Sequence, residues 1–383
     1  MKICIIANGY PNSREPQWGC FERDQALALK KAGHDVAILF VDKRFRTYWR
    51  KIGYTSFRED GIDVYGFYLI PTQWIRRLWG NKPQYWLASR LLNLVYKKYF
   101  SDYGSPDVIY SHYLENIAYS VYLREKYDVP LVGIEHWSAV NKERLSVTSK
   151  FRGNIAYNNV DRLLSVSQSL RSKIYKHFKK ESTVVYNMLG PEFMASNVNA
   201  TKTRLFSFVS IGSLVSIKDY EMLIKAFSES NLTLERCTLS IVGDGTERQK
   251  LERLIEELNL KDSVFLLGRK TKDEIISLLS ESHIYVLSSK SETFGVACIE
   301  ALSQGLPAIA TKCGGPEEFI NKRNGLLVPI NDISSMAEAM KKMYNDYKNY
   351  DTVAIAEECK SRFSPMVIAR QLTDIFEDVI NRE

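Results

Sequence analysis

Two glutamates, Glu292 and Glu300, stand in the stretch SKSETFGVACIEALSQGLPAIATKCGG, residues 289–315. IYVLSS reads as a strand, KSETFG as the loop after it and GVACIEALSQ as the next helix. Thr293, Phe294, Gly295 and Val296 then lie at a helix N-terminus, where unpaired N–H groups and the positive end of the dipole bind phosphate. Gly295 lets a ligand come close to the backbone. Glu292 lies just before these donors, and Glu300 on the first turn or so of the helix after them. Carboxylates so placed accept hydrogen bonds from sugar hydroxyls. The pair is suited to hold two polyol groups on either side of a phosphate, which is how a nucleotide sugar is built. Taken alone, the same acids would more readily be helix-end glutamates in surface ion pairs.

Other loops add to this one. SIGSLVSIKDYEMLIKAF (210–227) is strand, glycine turn and helix, with Gly212 and Ser213 in the turn and Lys218 just beyond. A lysine there can neutralise diphosphate charge as a point cation. IVGDG (241–245) places Gly243 at a strand end, FLLGRKTKDEI (265–275) places Arg269 and Lys270 at another, and TKCGGPEEFI (311–320) follows with a glycine pair. Each glycine loop alone is a weak signal.

The elements that must position these loops alternate along the chain. KICIIA, RDQALALKKAG and DVAILFV open a run of short apolar segments alternating with amphipathic ones, continued by DVIYSHY, AYSVYLREKY and PLVGIEH. Strands alternating with helices imply crossovers and a parallel sheet covered on both faces. Residues 1–187 form one such α/β domain, 188–204 read as a polar linker broken by Gly-Pro, and 205–362 repeat the layout. Residues 363–383 are expected to form a helix that crosses back to the first domain. Ligands of open parallel sheets bind beyond the carboxyl ends of the strands, so two such domains facing each other predict a cleft.

Composition agrees with a globular chain of two domains. Of its 383 residues 45% are hydrophobic, 25% charged and 12% aromatic, enough apolar material for two cores. The six cysteines are scattered without metal-ligand spacing and read as reduced thiols of a cytosolic protein. MKICIIANGY breaks too early for a signal peptide, and no stretch approaches the ~18 apolar residues of a bilayer span. Residues 1–195 carry 29 Lys and Arg against 18 Asp and Glu, whereas the remainder has 23 against 27. Much of the excess sits in DKRFRTYWRK (42–51) and TQWIRRLWGNKPQYWLASRLLNLVYKKYF (72–100), where cations alternate with Trp and Tyr. Such a surface suits anionic lipid or phosphate; a solvated face over partly buried aromatics is the plainer alternative.

The ordered set GSLxxxK, VGDG, LLG, SETFGVACIEALSQGLPAIATKCGGPEE and NGLLVP resembles the retaining family-4 glycosyltransferases of the GT-B fold, with Glu292 and Glu300 at the family's Glu-x7-Glu spacing. The resemblance covers nearly the whole chain and is strongest over 205–330. It implies two Rossmann-like doubly wound domains facing across a cleft, with Glu300 on the ribose, Glu292 at the donor sugar, and the 293–296 amides and Lys218 on the diphosphate. Arg269 and Lys270 would lie near the base. In the first domain, ANGYPNSREPQWGCFERDQALALKKAGHDV resembles the family's opening strand, glycine loop and helix, with Gly19-Cys20 at the usual glycine pair. GIEHWSAV resembles the segment whose histidine reaches the donor sugar, which nominates His136; His112 in YSHYLEN is a second, acceptor-side candidate. The family usually has an arginine where this chain has Ser213, so half of the expected cationic clamp is missing, and Lys290 or Arg269 are the candidate substitutes.

The resemblance implies metal-independent transfer of a sugar with retention from a nucleoside-diphosphate sugar, a UDP-sugar favoured, to a hydroxyl of a glycan or lipid-linked glycan. No Asp-x-Asp motif is present, and no cofactor or nucleic-acid partner is expected. Bacterial surface-polysaccharide assembly (capsule, lipopolysaccharide) at the cytoplasmic face of the membrane fits the charge. Two other readings are a nucleotide-sugar epimerase of the same two-domain form, against which Glu-x7-Glu weighs, and a nucleic-acid-binding protein, for which no recognised motif is present. A dinucleotide-dependent dehydrogenase is disfavoured because the first loop is not GxGxxG.

Overall fold

The computed structural model describes residues 1–44, 51–70, 77–195, 202 and 205–381. Parts of the basic aromatic stretches (45–50 and 72–76) and of the expected linker (196–201, 203 and 204) lie outside the described residues. The chain divides into two compact units, Met1–Tyr186 with Pro365–Glu383, and Asn187–Ser364.

In the first unit β1 (Lys2–Ala7) is flanked by β2 (Asp35–Asp42) and β5 (Val108–His112), and all three are parallel. From β5 the sheet continues through β6 (Leu131–Glu135), β7 (Arg162–Ser165) and β8 (Thr183–Val184). From β2 it continues through β4 (Ile62–Tyr68), also parallel, to β3 (Gly53–Glu59), which pairs antiparallel with β4. The central strands read as unbroken apolar runs because helices bury both faces: Ile3 through Ala7 are all buried. The antiparallel edge was not expected from the alternating pattern. Its turn is Asp60-Gly61, with φ of 50° and 73°, the left-handed pair that a two-residue hairpin requires.

The Asn81–Tyr103 helix buries Ala88, Leu92, Val95, Tyr96 and Tyr99 against this sheet, the spacing of a single helical stripe. The Pro365–Ile380 helix also belongs to the first unit and buries Ile368, Ala369, Leu372, Phe376 and Val379. Phe376 meets Tyr110 of β5 edge-on at 5.1 Å, Thr373 Oγ1 lies 2.7 Å from His34 Nε2, and Asp378 pairs with Arg162.

The second unit is a six-stranded parallel sheet in the order β11-β10-β9-β12-β13-β14. Its strands are β9 (Ser207–Ile211), β10 (Thr238–Val242), β11 (Val264–Leu266), β12 (Ile284–Leu287), β13 (Ala308–Thr311) and β14 (Gly325–Val328). Phe208, Leu239, Ile284 and Ile309 pack beneath Leu223, Phe227, Met336 and Met340. The strand order reverses between β9 and β12, which marks the crevice for a ligand in this topology. The first sheet reverses likewise between β1 and β5.

Two boundaries need correction, the start of the linker and the end of the second domain. Residues from Asn187 belong to the second unit, where Pro191–Ala195 forms a short helix. Phe193 is buried, its carbonyl accepts from Gln304 Nε2, and Glu192 pairs with Lys272 at 3.1 Å. Phe363 ends the Thr352–Phe363 helix and packs on Phe294 and Phe319 of the second unit, so the break falls after Ser364 and not after 362.

Candidate functional site

The loops that leave β9 and β12 are fastened to each other. Lys290 N donates to Ile217 O at 2.8 Å, and Ser288 Oγ donates to Lys218 O at 2.7 Å. Thr311 Oγ1 of the neighbouring strand holds Ser289 O at 2.6 Å. On this frame Lys218, at the end of the short turn Ser216–Lys218, extends its ammonium to Glu292 Oε1 at 2.5 Å. The same oxygen accepts from Ser289 Oγ at 2.6 Å. Both side chains are partly buried, so the pair is screened less than a surface ion pair. The sequence suggests separate tasks for these two residues, on diphosphate and on sugar; the structure brings their charged groups together.

Glu292 is held by its backbone as well. Its N–H donates to Cys313 O at 2.9 Å, and it bridges to Gly314 in parallel register. The following residue, Gly315, lies so close that a Cβ would stand 2.3 Å from Phe294 Cα. Phe294 is wholly buried against Phe319 and Phe363. Its side chain therefore anchors the loop, and its share in ligand binding can only be through the backbone. Gly295, with φ of 98°, is the N-cap of the Val296–Ser303 helix, whose first amides have no acceptor within the helix. Glu300 is the fifth residue of that helix, on its second turn and not its first, and is half-buried. It lies one turn beyond Val296 on the same face.

Two more loops, those after β10 and β11, stack backbone to backbone with the start of the β9 loop. Gly212 N donates to Val242 O at 2.9 Å, Leu214 N to Asp244 O at 3.1 Å, and Gly243 N to Gly268 O at 2.8 Å. A Cβ on Gly243 would stand 1.9 Å from Gly212 O. Ser213 is exposed in this stack. Of the candidate substitutes for the missing arginine, Lys290 pairs with Asp219 at 3.3 Å, while Arg269 is exposed just beyond Gly268. Lys270 is engaged by Glu274 at 2.9 Å, within the capping box of the Lys272–Glu281 helix.

In the first unit the loop after β1 runs to Gly19, the N-cap of the Cys20–Lys31 helix at φ 79°. A Cβ there would stand 2.4 Å from Gly9 O. Asn8 is fixed from three sides: its N–H donates to Glu22 Oε1 at 3.1 Å, its carbonyl accepts from Trp18 Nε1 at 3.1 Å, and its Oδ1 accepts from Asn116 Nδ2 at 3.0 Å. Burial pushes the Glu22 carboxyl up to about 7.

At the ends of β5 and β6, His112 Nδ1 lies 3.2 Å from His136 Nε2. The two rings are nearly parallel, at 6° with centroids 5.2 Å apart. Tyr113 follows His112 at φ 68° and sets its ring 5.1 Å from His136. A bulky aromatic in the left-handed region is strained, and such strain concentrates at functional positions. Glu135, wholly buried, accepts from the His136 and Trp137 amides at 2.9 and 2.7 Å and from Tyr157 Oη at 2.6 Å. Burial outweighs these donors and holds its carboxyl up at about 7. His112 also has no exposed surface. It is not available to touch an acceptor as the sequence suggests, and its ring reaches outward only through His136.

The similarities to known proteins can be read on this frame. Residues 23–193 match the family described as Glycosyltransferase Family 4, and residues 193–358 match Glycosyl transferases group 1. The chain belongs to this glycosyltransferase family. Among curated relatives, an uncharacterized glycosyltransferase of Methanocaldococcus jannaschii is 28% identical over 63% of this chain and 66% of its own length. The lipopolysaccharide core biosynthesis glycosyltransferase LpsD of Rhizobium meliloti is 28% identical over 58% of this chain and 65% of its own. The match thus spans just under two thirds of each of these relatives. The solved sucrose-phosphate synthase of Thermosynechococcus elongatus superposes with a TM-score of 0.78 at 18% identity, covering 100% of both chains. Anabaena HepE in complex with UDP gives 0.73 at 18%, covering 99% of this chain and 100% of that one. These likenesses identify the two parallel-sheet units as a GT-B fold.

Within this family member, the structure brings Gly212, Gly243 and the 293–296 backbone into neighbouring strand-end loops, with Lys218 joined to Glu292. Glu22, Asn8, Tyr113 and Glu135 were not singled out from sequence. An acid directly after the apolar run of β6 was the available signal for Glu135. Glu22 and Asn8 carried no signal beyond lying near a glycine turn.

Proposed function

We propose that this chain transfers a sugar from a nucleoside-diphosphate sugar, a UDP-sugar favoured, to a hydroxyl of a glycan or lipid-linked glycan, with retention at the anomeric carbon. The observation that carries this reading is the Lys218–Glu292 pair set beside the Gly295–Val296 helix start at the β9/β12 reversal. A cation and backbone amides there would take up the charge that develops on the departing diphosphate without a resident metal. The anomeric C–O bond to the diphosphate breaks, the acceptor oxygen bonds to the same face of that carbon, and the acceptor proton passes to the leaving phosphate oxygen. Glu300 would hold the ribose and Glu292 the donor sugar. Support for a uridine donor comes from the fold neighbours: HepE is described in complex with UDP-glucose, and a pneumococcal O-GlcNAc transferase with UDP and GlcNAc.

A thermal-shift titration with UDP, GDP, ADP and NAD tests the donor. UDP alone is expected to stabilise the protein, by about 2.7 kcal/mol at a hundredfold excess over its Kd, and Glu300→Ala to lose that gain. Stabilisation by NAD instead, or by no nucleotide, would sink the reading.

The acceptor side of the proposal is a lipid-linked substrate met at a membrane surface. One face of the Asn81–Tyr103 helix exposes Lys82, Trp86, Arg90, Leu94 and Lys97, preceded by exposed Leu78 and Trp79. No described helix is long and apolar enough to cross a membrane, whereas cations mixed with Trp and Leu suit an anionic interface. Co-sedimentation with vesicles containing phosphatidylglycerol is expected to fall about fivefold or more in Arg90→Glu, from about 1 kcal/mol per cation lost. Equal sedimentation of both proteins would remove this face from the proposal.

A further inference from the structure

The histidine pair in the first unit fixes more than the position of its rings. Parallel rings whose nitrogens lie 3.2 Å apart share one hydrogen bond, so one nitrogen carries the proton and the other presents its lone pair. Two arrangements of neutral rings satisfy this. In the first, His136 Nε2–H donates to His112 Nδ1, and His112 must carry its own proton on Nε2. In the second, His112 Nδ1–H donates to His136 Nε2, and His136 must carry its proton on Nδ1.

The surroundings of His112 choose between them. Its Nε2 is buried without a hydrogen-bond partner, and the ring lies against Tyr110, edge-on at 4.5 Å. In the first arrangement this nitrogen is a buried N–H without an acceptor and in the second a bare lone pair, and the orphaned N–H is the costlier of the two. A protonated ring is disfavoured as well: burial and the neighbouring His136 both hold His112 far below the ordinary histidine range.

We propose that His112 is a positioning residue that fixes His136 as its Nδ1–H tautomer, so that His136 offers a hydrogen bond at Nδ1 and cannot act there as a base. The consequence for catalysis rests on the transferase reading, in which His136 serves the donor sugar and would hold one of its oxygens. The tautomer itself does not depend on that reading. Tyr113 contributes by packing its ring 5.1 Å from His136 from a strained backbone position.

The test is long-range 1H–15N correlation on protein labelled at its five histidines, assigned by single substitutions. For both His112 and His136 the expected result is a protonated, pyrrole-type Nδ1 and a pyridine-type Nε2. His112→Phe removes the donor while keeping a flat ring, and His136 is then expected to shift toward Nε2–H. His112→Asn places an amide N–H near the lost Nδ1 and should restore the wild-type pattern. With UDP-glucose, kcat in His112→Phe should fall about tenfold, the worth of one hydrogen bond in the transition state, with KM little changed and kcat largely recovered in His112→Asn. A pyridine-type Nδ1 on His136 in the wild type overturns the proposal, and so does a His136 pattern indifferent to His112→Phe. Because the wild-type spectrum needs no substrate, it decides the tautomer even if UDP-glucose is not turned over.

Discussion

Lys218→Ala is expected to lower the rate of sugar transfer by about a hundred- to a thousandfold, the cost of removing one preorganised partner of a developing oxyanion. The variant loses more than a cation. Lys218 now sits 2.5 Å from Glu292 Oε1, and Ser289 holds that carboxylate where it is. Without the lysine, a partly buried negative charge would remain beside the diphosphate. Two unit charges at ~4 Å in a surrounding of effective dielectric ~20 repel by about 4 kcal/mol. Nucleotide affinity should therefore fall along with the rate. Lys218→Ala/Glu292→Gln, which removes both charges, should regain most of the UDP affinity while leaving transfer slow, a non-additivity expected of groups in contact. Calorimetric UDP titration and initial rates on the two single variants and the double variant separate these effects. A Lys218→Ala rate close to wild type would show that the diphosphate is neutralised elsewhere, with Arg269 the next residue to substitute.

The second large effect is expected at a residue with no side chain. Gly315→Ala should destabilise the second unit by about 3 kcal/mol, the upper range for forcing atoms into a packed site, and lower its unfolding midpoint by about 6–12 °C. The added Cβ would lie 2.3 Å from both Cα and O of Phe294. Phe294 cannot yield, because its ring is buried against Phe319 and Phe363. The strain would pass into the 293–296 backbone, so UDP stabilisation should disappear together with the fold stability. Gly268→Ala is the control. It has φ of 71° but nothing within 4 Å of the new Cβ, so only the backbone cost of about 1–2 kcal/mol applies. Similar losses in both variants would mean that crowding against Phe294 does not matter. Differential scanning calorimetry with and without UDP gives both readings.

Both variants concern contacts that spacing alone could not show. The strands of the second unit were legible because a parallel sheet covered on both faces turns each strand into an apolar run, as in Ala308–Thr311. Its glycine loops were legible because strand ends that must approach one another admit no Cβ. The pairing of Lys218 with Glu292, 74 positions away, depends on β9 and β12 being neighbours, and strand order is not written in any local window. The β3–β4 hairpin was missed because β3 is largely polar and exposed, although Asp60-Gly61 is a strong turn signal. Residues 188–195 read as part of a linker because Gly-Pro breaks the pattern, yet a buried Phe193 is enough to attach them to the second unit. Glu22 and Glu135 were visible as acids but not as buried ones. His112 and His136 were both singled out, but an acceptor role was assigned to a ring that the fold encloses completely.

The membership of Pro365–Ile380 in the first unit has a consequence for synthesis. A ribosome making this chain at about 5–20 residues per second would pass residue 186 roughly 10–35 s before it adds residue 365. Throughout that interval Tyr110 lacks Phe376 and Arg162 lacks Asp378, while the second unit has all of its own sequence before the helix arrives. The domain begun first is thus completed last. A released chain ended after Ser364 should hold a protease-resistant second unit beside a first unit still open to cleavage and to chaperones.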